Sequence, residues 1–344
     1  MKFLDLFAGI GGFRLGMESA GHECIGFCEI DKFARESYKA IHDTEGEIEL
    51  HDITTVTDEF IRGLGSVDII TGGFPCQAFS IAGNRRGFED TRGTLFFEIA
   101  RFASILRPRY LFLENVKGLL NHQKGDTFET MLRVLDELGY NVEWQVLNSK
   151  NFGVPQNRER VFIIGHLRGE CTRRVFPIER DVPEINPKRQ IDFVVPVLTP
   201  NRLEKRQNGR RFKTNGEPMF TLTAQDQHGI LLQDKKLKIR EATTKGYAEA
   251  SVGDSVNIAN INSKTKRGRV GNQIANTLLA SEQQGVVGSD YRIRRLTPRE
   301  CWRLQGFPDS AFDKAQAVTS NSQLYKQAGN SVTVNVIAEI AKRL

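Results

Sequence analysis

Residues 3–16, FLDLFAGIGGFRLG, pass from an apolar stretch through Gly9, Gly11 and Gly12 into a helical pattern, and their reading decides the fold. A strand that ends in glycine and runs straight into an amphipathic helix opens a βαβ unit. The spacing is GxGG rather than GxGxxG, so these glycines alone are weak evidence for a dinucleotide site. The alternation continues outward. ECIGFCEID (23–31) precedes KFARESYKAI (32–41), VDIITGG (67–73) precedes TLFFEIARFASIL (94–106), and RYLFLENV (109–116) precedes DTFETMLRVLDELG (126–139). NVEWQVLN (141–148) and RVFIIGHL (160–167) follow as further strands. This order predicts an α/β, Rossmann-like fold with a mainly parallel sheet and ligands at the carboxyl ends of the strands.

After residue 168 the texture changes: Pro177, Pro183, Pro187, Pro196 and Pro200 interrupt the chain and helical periodicity weakens. The sequence therefore predicts a large domain over 1–168, a smaller, irregular, β-rich domain over 169–292, and a return segment over 293–344 that completes the first. At 344 residues, one large core plus a smaller unit is the expected arrangement. Within the smaller domain, MFTLTAQDQHGILL (219–232) is weakly echoed by IANTLLASEQQGVV (274–287), as two loop-bearing hairpins would be.

The formal charge of +6 is unevenly spread, with RLEKRQNGRRFK (202–213), KKLKIR (235–240) and SKTKRGR (263–269) all in the second domain. One such run is a solvated surface; three together favour a polyanionic partner. Five cysteines without CxxC pairs or nearby histidines predict neither a disulfide framework nor a zinc site. No run reaches the length of a membrane span and no secretory leader opens the chain, so a cytoplasmic protein is expected.

Two strand ends carry acids, Glu29 in FCEID and Asp52 in HDI. A carboxylate at the second strand end suits a ribose diol; Asp52 suits either an adenine amine or a helix cap. Cys76, in GGFPCQAFS (72–80), sits just past a strand end, where a free thiol is either a small hydrophobe or a nucleophile.

The blocks DLFAGIGGFRLG, the Glu29 strand end, Asp52-Ile53, GGFPCQAFS, RGFEDTRGTLFFEIAR, ENVKG, QNRERVFIIG, RRLTPREC and QAGNSV occur in this order across nearly the whole chain. Together they resemble the DNA (cytosine-5)-methyltransferases of the bacterial restriction–modification, HhaI-like type. The resemblance implies S-adenosyl-L-methionine as cofactor, with Phe7 against the adenine, Glu29 on the ribose and Asp52 and Ile53 around the base. Gly9, Gly11, Gly12, Ile30, Pro75, Leu95, Asn330 and Ser331 are implied to complete that pocket.

It also implies a catalytic set of Cys76, Glu114, Arg158 and Arg160. Cytosine C5 is a poor nucleophile until a thiolate adds at C6, and the charge that then builds on N3 and O2 calls for a proton donor such as Glu114. Arg158 and Arg160 alternate and so share one face of an extended segment. The resemblance favours Arg160 at the base and Arg158 as local structural or phosphate support. Methyltransferases of this kind extrude their base from the duplex.

The segment IAGNRRGFEDTRG (81–93) follows the thiol and is expected to close as a lid, but it carries Ala82 where the HhaI-like pattern has serine. Gln77, Asn84 or a residue of the smaller domain is then expected to fill the space left by the base, with Ser80, Arg85, Arg86 and Arg92 also contacting DNA. In the second domain, loops 221–229 and 264–285 are expected to read sequence, through Gln225, Gln227, Arg267, Arg269, Gln283 and Gln284. Double-stranded DNA is the expected partner of a monomeric enzyme in a prokaryotic cell or phage, with a cognate restriction endonuclease acting separately. A tRNA-directed cytosine-5 methyltransferase and a catalytically silent DNA-binding module are the alternatives; an NAD oxidoreductase fits the alternation but not the GxGG, GFPC and ENV blocks.

Overall fold

The structure is a computed structural model that describes residues 1–75, 95–179, 236–260, 263, 265–280, 284–288 and 292–344, together with the backbone of 194–198 and 228–232. The chain divides into one unit made of Met1–Pro183, Ile274–Gln284 and Arg295–Leu344, and another made of Glu184–Gln273 and Gly285–Arg294.

The first unit is built on β1 (Lys2–Leu6), β2 (Glu23–Cys28), β3 (Ile48–Leu50), β4 (Ile69–Gly73), β5 (Tyr110–Val116), β6 (Tyr140–Asn148), the short β7 (Gln156–Asn157) and β8 (Glu159–Leu167). All but β7 form one sheet in the order β3-β2-β1-β4-β5-β8-β6. The first five are parallel, while β8 runs antiparallel to both β5 and β6. The strand order reverses between β1 and β4, and such a switch point opens a crevice at the carboxyl edge.

Strand residues alternate between two buried faces, as a sheet covered on both sides requires. Leu4, Ile70, Leu111 and Ile163 face one core with helices α3 (Asp58–Arg62), α4 (Leu95–Leu106) and α5 (Asp126–Glu137). Phe3, Ile69, Phe112 and Phe162 face the other with α1 (Gly12–Ser19) and, from the end of the chain, α9 (Val334–Ala341). Between α1 and α3 runs α2 (Lys32–Ile41), capped by Asp31, whose carboxylate accepts from the Phe33 and Ala34 N–H groups.

Residues past 168 stay with the first unit for longer than proline content suggests. Val175, Phe176 and Ile178 are buried in the second core, and the Glu143 and Gln145 side chains accept their main-chain N–H groups. After the second unit, α6 (Pro298–Leu304) starts from a Thr297–Glu300 capping box with Pro298 in its first turn. It packs Trp302 against α7 (Asp309–Gln316) and α8 (Asn321–Asn330).

The second unit holds the antiparallel pairs β9 (Val194–Leu198) with β10 (His228–Leu232) and β11 (Leu237–Arg240) with β12 (Tyr247–Ala250). A third sheet has the order β14 (Val270–Gly271), β13 (Ser255–Asn257), β16 (Gln284–Val287), β17 (Ile293–Arg295). Its core is small, centred on Ile239, Ala250, Val256 and Val287. One piece of the expected reading region lies elsewhere: β15 (Ala275–Asn276) pairs in parallel with β7 inside the first unit.

Candidate active site

A cavity of about 540 Å³ opens where β1, β2, β4 and β5 end. Its size is that of a small-molecule or cofactor pocket. The backbone that shapes it is strained at one point, because Phe7 adopts a left-handed φ of 57° directly after β1. Phe7 and Gly9 line the cavity, and a Cβ placed on Gly9 would meet nothing, so the chain there borders open space. Gly11 and Gly12 are not in the lining. A Cβ on Gly11 would strike the ring of His42, and one on Gly12 would strike Ser331 and Val332, so these two serve close packing and the expectation that they touch the cofactor is corrected.

Glu29, at the end of β2, is held by both oxygens: Oε2 accepts from the Gly9 N–H at 2.8 Å and Oε1 from the Asp31 N–H at 2.8 Å. Its remaining lone pairs border the cavity as acceptors for a diol. Beside it, Ile30 is 69 % exposed and presents an apolar wall. Asp52 is a cap, its Oδ1 accepting from Thr54 N and Oγ1, and it also lines the cavity. Those hydrogen bonds to Thr54 hold its carboxyl below the usual range. Ile53, Pro75, Leu95, Asn330 and Ser331 also line it.

Another end of the cavity is formed by β5 and by β8, the strand that pairs with it. Glu114 is 7 % exposed, and its Oε1 lies 3.0 Å from Nε of Arg160. Burial raises the Glu114 pKa, against the opposing charges of Arg160 and then Arg158, and the net result lies above the ordinary carboxyl value. Asn115 donates from Nδ2 to the Phe74 carbonyl at 2.9 Å, tying the end of β5 to the turn that leaves β4. Pro75, the last described residue of that turn, precedes Cys76 in the chain. Cys76 itself lies outside the described residues, as do Gln77, Ser80, Ala82, Asn84, Arg85, Arg86, Arg92, Gln225, Gln227 and Gln283.

Arg158 differs from its neighbour. It is 3 % exposed, with Nη1 donating to the Leu278 carbonyl and Nη2 to those of Gly329 and Ser331. Its contacts are internal ones, which corrects the phosphate role allowed for it. Two residues expected to read bases are likewise buried. Arg269 is 1 % exposed and donates to the carbonyls of Asn257, Ala259 and Asn260, and Gln284 is buried in β16; both expectations are corrected by burial. Arg267, two residues away, is exposed.

The sequence reading placed Asn330 in this pocket but missed the rest of the wall that α8 supplies. Lys326 donates to Asp31 Oδ2 at 2.6 Å, and Gln327 donates to the Phe33 carbonyl and to Ser37, bracing α8 against α2 at the cavity edge. Burial opposes ionisation of Asp31, but the Lys326 bond and the two capping N–H groups outweigh it and lower its pKa. The only signal was Asp31 itself, an acid placed just before a helix.

Comparison with known proteins bears on this geometry. The sequence profile of the C-5 cytosine-specific DNA methylases matches residues 1–344. The type II methyltransferase M.HpaII of Haemophilus parainfluenzae is 39 % identical over 350 residues, covering 99 % of this chain and 88 % of that protein. M.HhaI of Haemophilus parahaemolyticus is 37 % identical over 352 residues, covering 99 % and 93 %. Among solved structures, a protein described as a DNA modification methyltransferase encoded within an Escherichia coli prophage superposes with a TM-score of 0.61 at 22 % identity over 99 % of this chain and 97 % of its own. The Dnmt2 methyltransferase of S. pombe gives 0.55 at 19 % over 98 % and 96 %. At those identities the two structures speak for the fold alone.

Proposed function

Because the chain belongs to the family of C-5 cytosine-specific DNA methylases, and is a DNA methyltransferase of the restriction–modification kind, we propose that it flips a cytosine out of duplex DNA, attacks C6 through Cys76 and places a methyl group on C5. The observation that carries this reading is the buried Glu114–Arg160 pair, 3.0 Å apart, opening into the same cavity as Glu29 and the Asn330–Ser331 turn.

The residues present suit S-adenosyl-L-methionine. Glu29 is a fixed acceptor for the ribose hydroxyls, Phe7, Ile30 and Ile53 are apolar surfaces for the adenine, and Asp52 is an acceptor beside it. When bound, the cofactor supplies an electrophilic methyl group on a sulfonium.

The protein's own part is proton and charge management. The Cys76 sulfur adds to C6, and the electron pair displaced toward N3 takes a proton from Glu114, whose burial raises its pKa and so favours the protonated, donating form. The Arg160 guanidinium holds that carboxyl in place and supplies positive charge for the O2 side of the ring. After C5 gains its methyl group, loss of the C5 proton to a base expels the sulfur and returns the proton balance. Unpairing the base costs a few kcal/mol, which contacts to the DNA backbone must offset.

The test is transfer of labelled methyl to duplex DNA, mapped by bisulfite sequencing, with trapping on a 5-fluorocytosine duplex. Transfer to defined cytosines and a crosslink at Cys76 are expected. Transfer to tRNA in place of DNA, or a crosslink at another residue, would overturn the reading.

A further inference from the structure

The segment that returns from the second unit is stitched onto β7, just before the strand that carries Arg160, and then leaves again. Ala275 donates to the Pro155 carbonyl, and the Thr277 hydroxyl to that of Asn157. The Leu278 N–H donates to Oε1 of Gln156, which is fully buried and donates in turn to the Leu304 carbonyl. One residue later the chain touches the cofactor wall. A Cβ on Gly329 would collide with the carbonyl of Leu279 and the nitrogen of Ala280, so only glycine lets these two backbones meet. Over the same junction lies Arg158, bonded to Leu278 at 3.2 Å, Gly329 at 3.1 Å and Ser331 at 2.7 Å.

We propose that Arg158 is a positioning residue that clamps the returning segment 277–280 to the turn 329–331, so that one guanidinium sets both a rim of the DNA site and a wall of the cofactor pocket. The planar fork is what the role requires. Two donor edges reach carbonyls from two chain segments at once, whereas a lysine at this position offers one compact donor and loses the bridge. The unpartnered Nε of Arg158 fits a side chain oriented by its two terminal nitrogens. The inference uses the proposed activity only to name what binds on either side of the clamp.

Two variants test it. Arg158→Lys replaces the planar fork by a single ammonium group, and Gly329→Ala leaves the guanidinium intact while pushing the Leu279 backbone away. In hydrogen exchange without substrates, both should speed exchange at 277–280 and at 329–332 by about tenfold or more, leaving β1, β4 and β5 unchanged. In turnover, KM for cofactor and KM for DNA should rise together by about tenfold, with kcat within about threefold of wild type. Faster exchange in only one of the two segments overturns the clamp. So does a rise in the DNA KM alone, which would mark a phosphate contact, or a fall in kcat alone, which would mark a contact with the base. If wild type transfers no methyl to DNA, the proposed activity fails, while the exchange result still decides the clamp.

Discussion

The carboxyl edge of the large sheet and the turn around residues 267–269 in the second unit both present arginines two positions apart, and the pairs are resolved by different physics. In the first unit, β8 fixes the outcome. Arg160 lies opposite Val116 in the antiparallel ladder and reaches Glu114, while Arg158, just before the strand, turns to main-chain carbonyls. Among the described residues of the second unit no ladder is longer than five residues. Arg269 is drawn inward because it satisfies three carbonyls of the 257–260 bend, and Arg267 is left exposed. Where a ladder dictates direction, residue alternation is informative; where small two- and four-stranded pieces meet, burial has to be known first.

Replacing Cys76 tests the first region most severely. Cys76→Ala should still bind duplex DNA yet lose transfer by at least ~10⁴-fold, as removal of a nucleophile does; residual turnover close to wild type would remove the thiol from the mechanism. Glu114→Gln should slow transfer by roughly 10²–10⁴-fold while leaving cofactor affinity in place. A wild-type rate for that variant would detach the carboxyl from the chemistry.

Asp5 offers a test that does not depend on activity. Burial pushes its carboxyl up to about 7, against the Thr71 hydrogen bond and the charge of Arg14. The folded state therefore holds a proton that the unfolded chain releases near its ordinary value of about 3.9, and the stability this confers is lost as pH rises from about 4 through 7. Asp5→Asn has no such loss, so its stability relative to wild type should rise by about 4 kcal/mol between pH 4 and pH 8 in denaturant titrations. His42, depressed to about 3 by burial and by Arg14, acts in the opposite sense, gaining stability as pH rises from about 3 to 6.5. It is common to both proteins and cancels in the difference. A pH-independent gap would place the ionisation of Asp5 elsewhere.

The second unit should respond through folding before recognition. Arg269→Ala leaves three carbonyls without their donor and should destabilise that unit by roughly 2–4 kcal/mol, seen as faster hydrogen exchange over 255–271. Arg267→Ala should leave stability unchanged and reduce the salt dependence of DNA binding by about one phosphate contact. If the two variants behaved alike, the contrast drawn from burial would fail.

Most of the large sheet was legible because strand and helix periods are local. KFARESYKAI and RYLFLENV coincide with α2 and β5 to within a residue. Glu29, Glu114 and Asn115 were legible for the same reason, since a strand end fixes where its last side chains go. Gly11 and Gly12 were misread because glycine spacing does not distinguish a ligand cradle from tight packing; His42 and Ser331, distant in sequence, decide it. The return at 274–284 was invisible because β15 is only two residues long and the chain just after it is held by one side-chain amide, Gln156, and the Arg158 guanidinium. No helix among the described residues is long and apolar enough to cross a membrane.

The chain crosses between its two units four times, at 183/184, 273/274, 284/285 and 294/295. A transplant of the second unit into a related enzyme as one contiguous cassette would therefore carry the foreign 275–280 stretch with it. The host's residues at the positions of Gly329 and Arg158 would then face an unmatched backbone. Exchanging 184–273 and 285–294 separately, with the intervening eleven residues kept from the host, is the graft this connectivity favours.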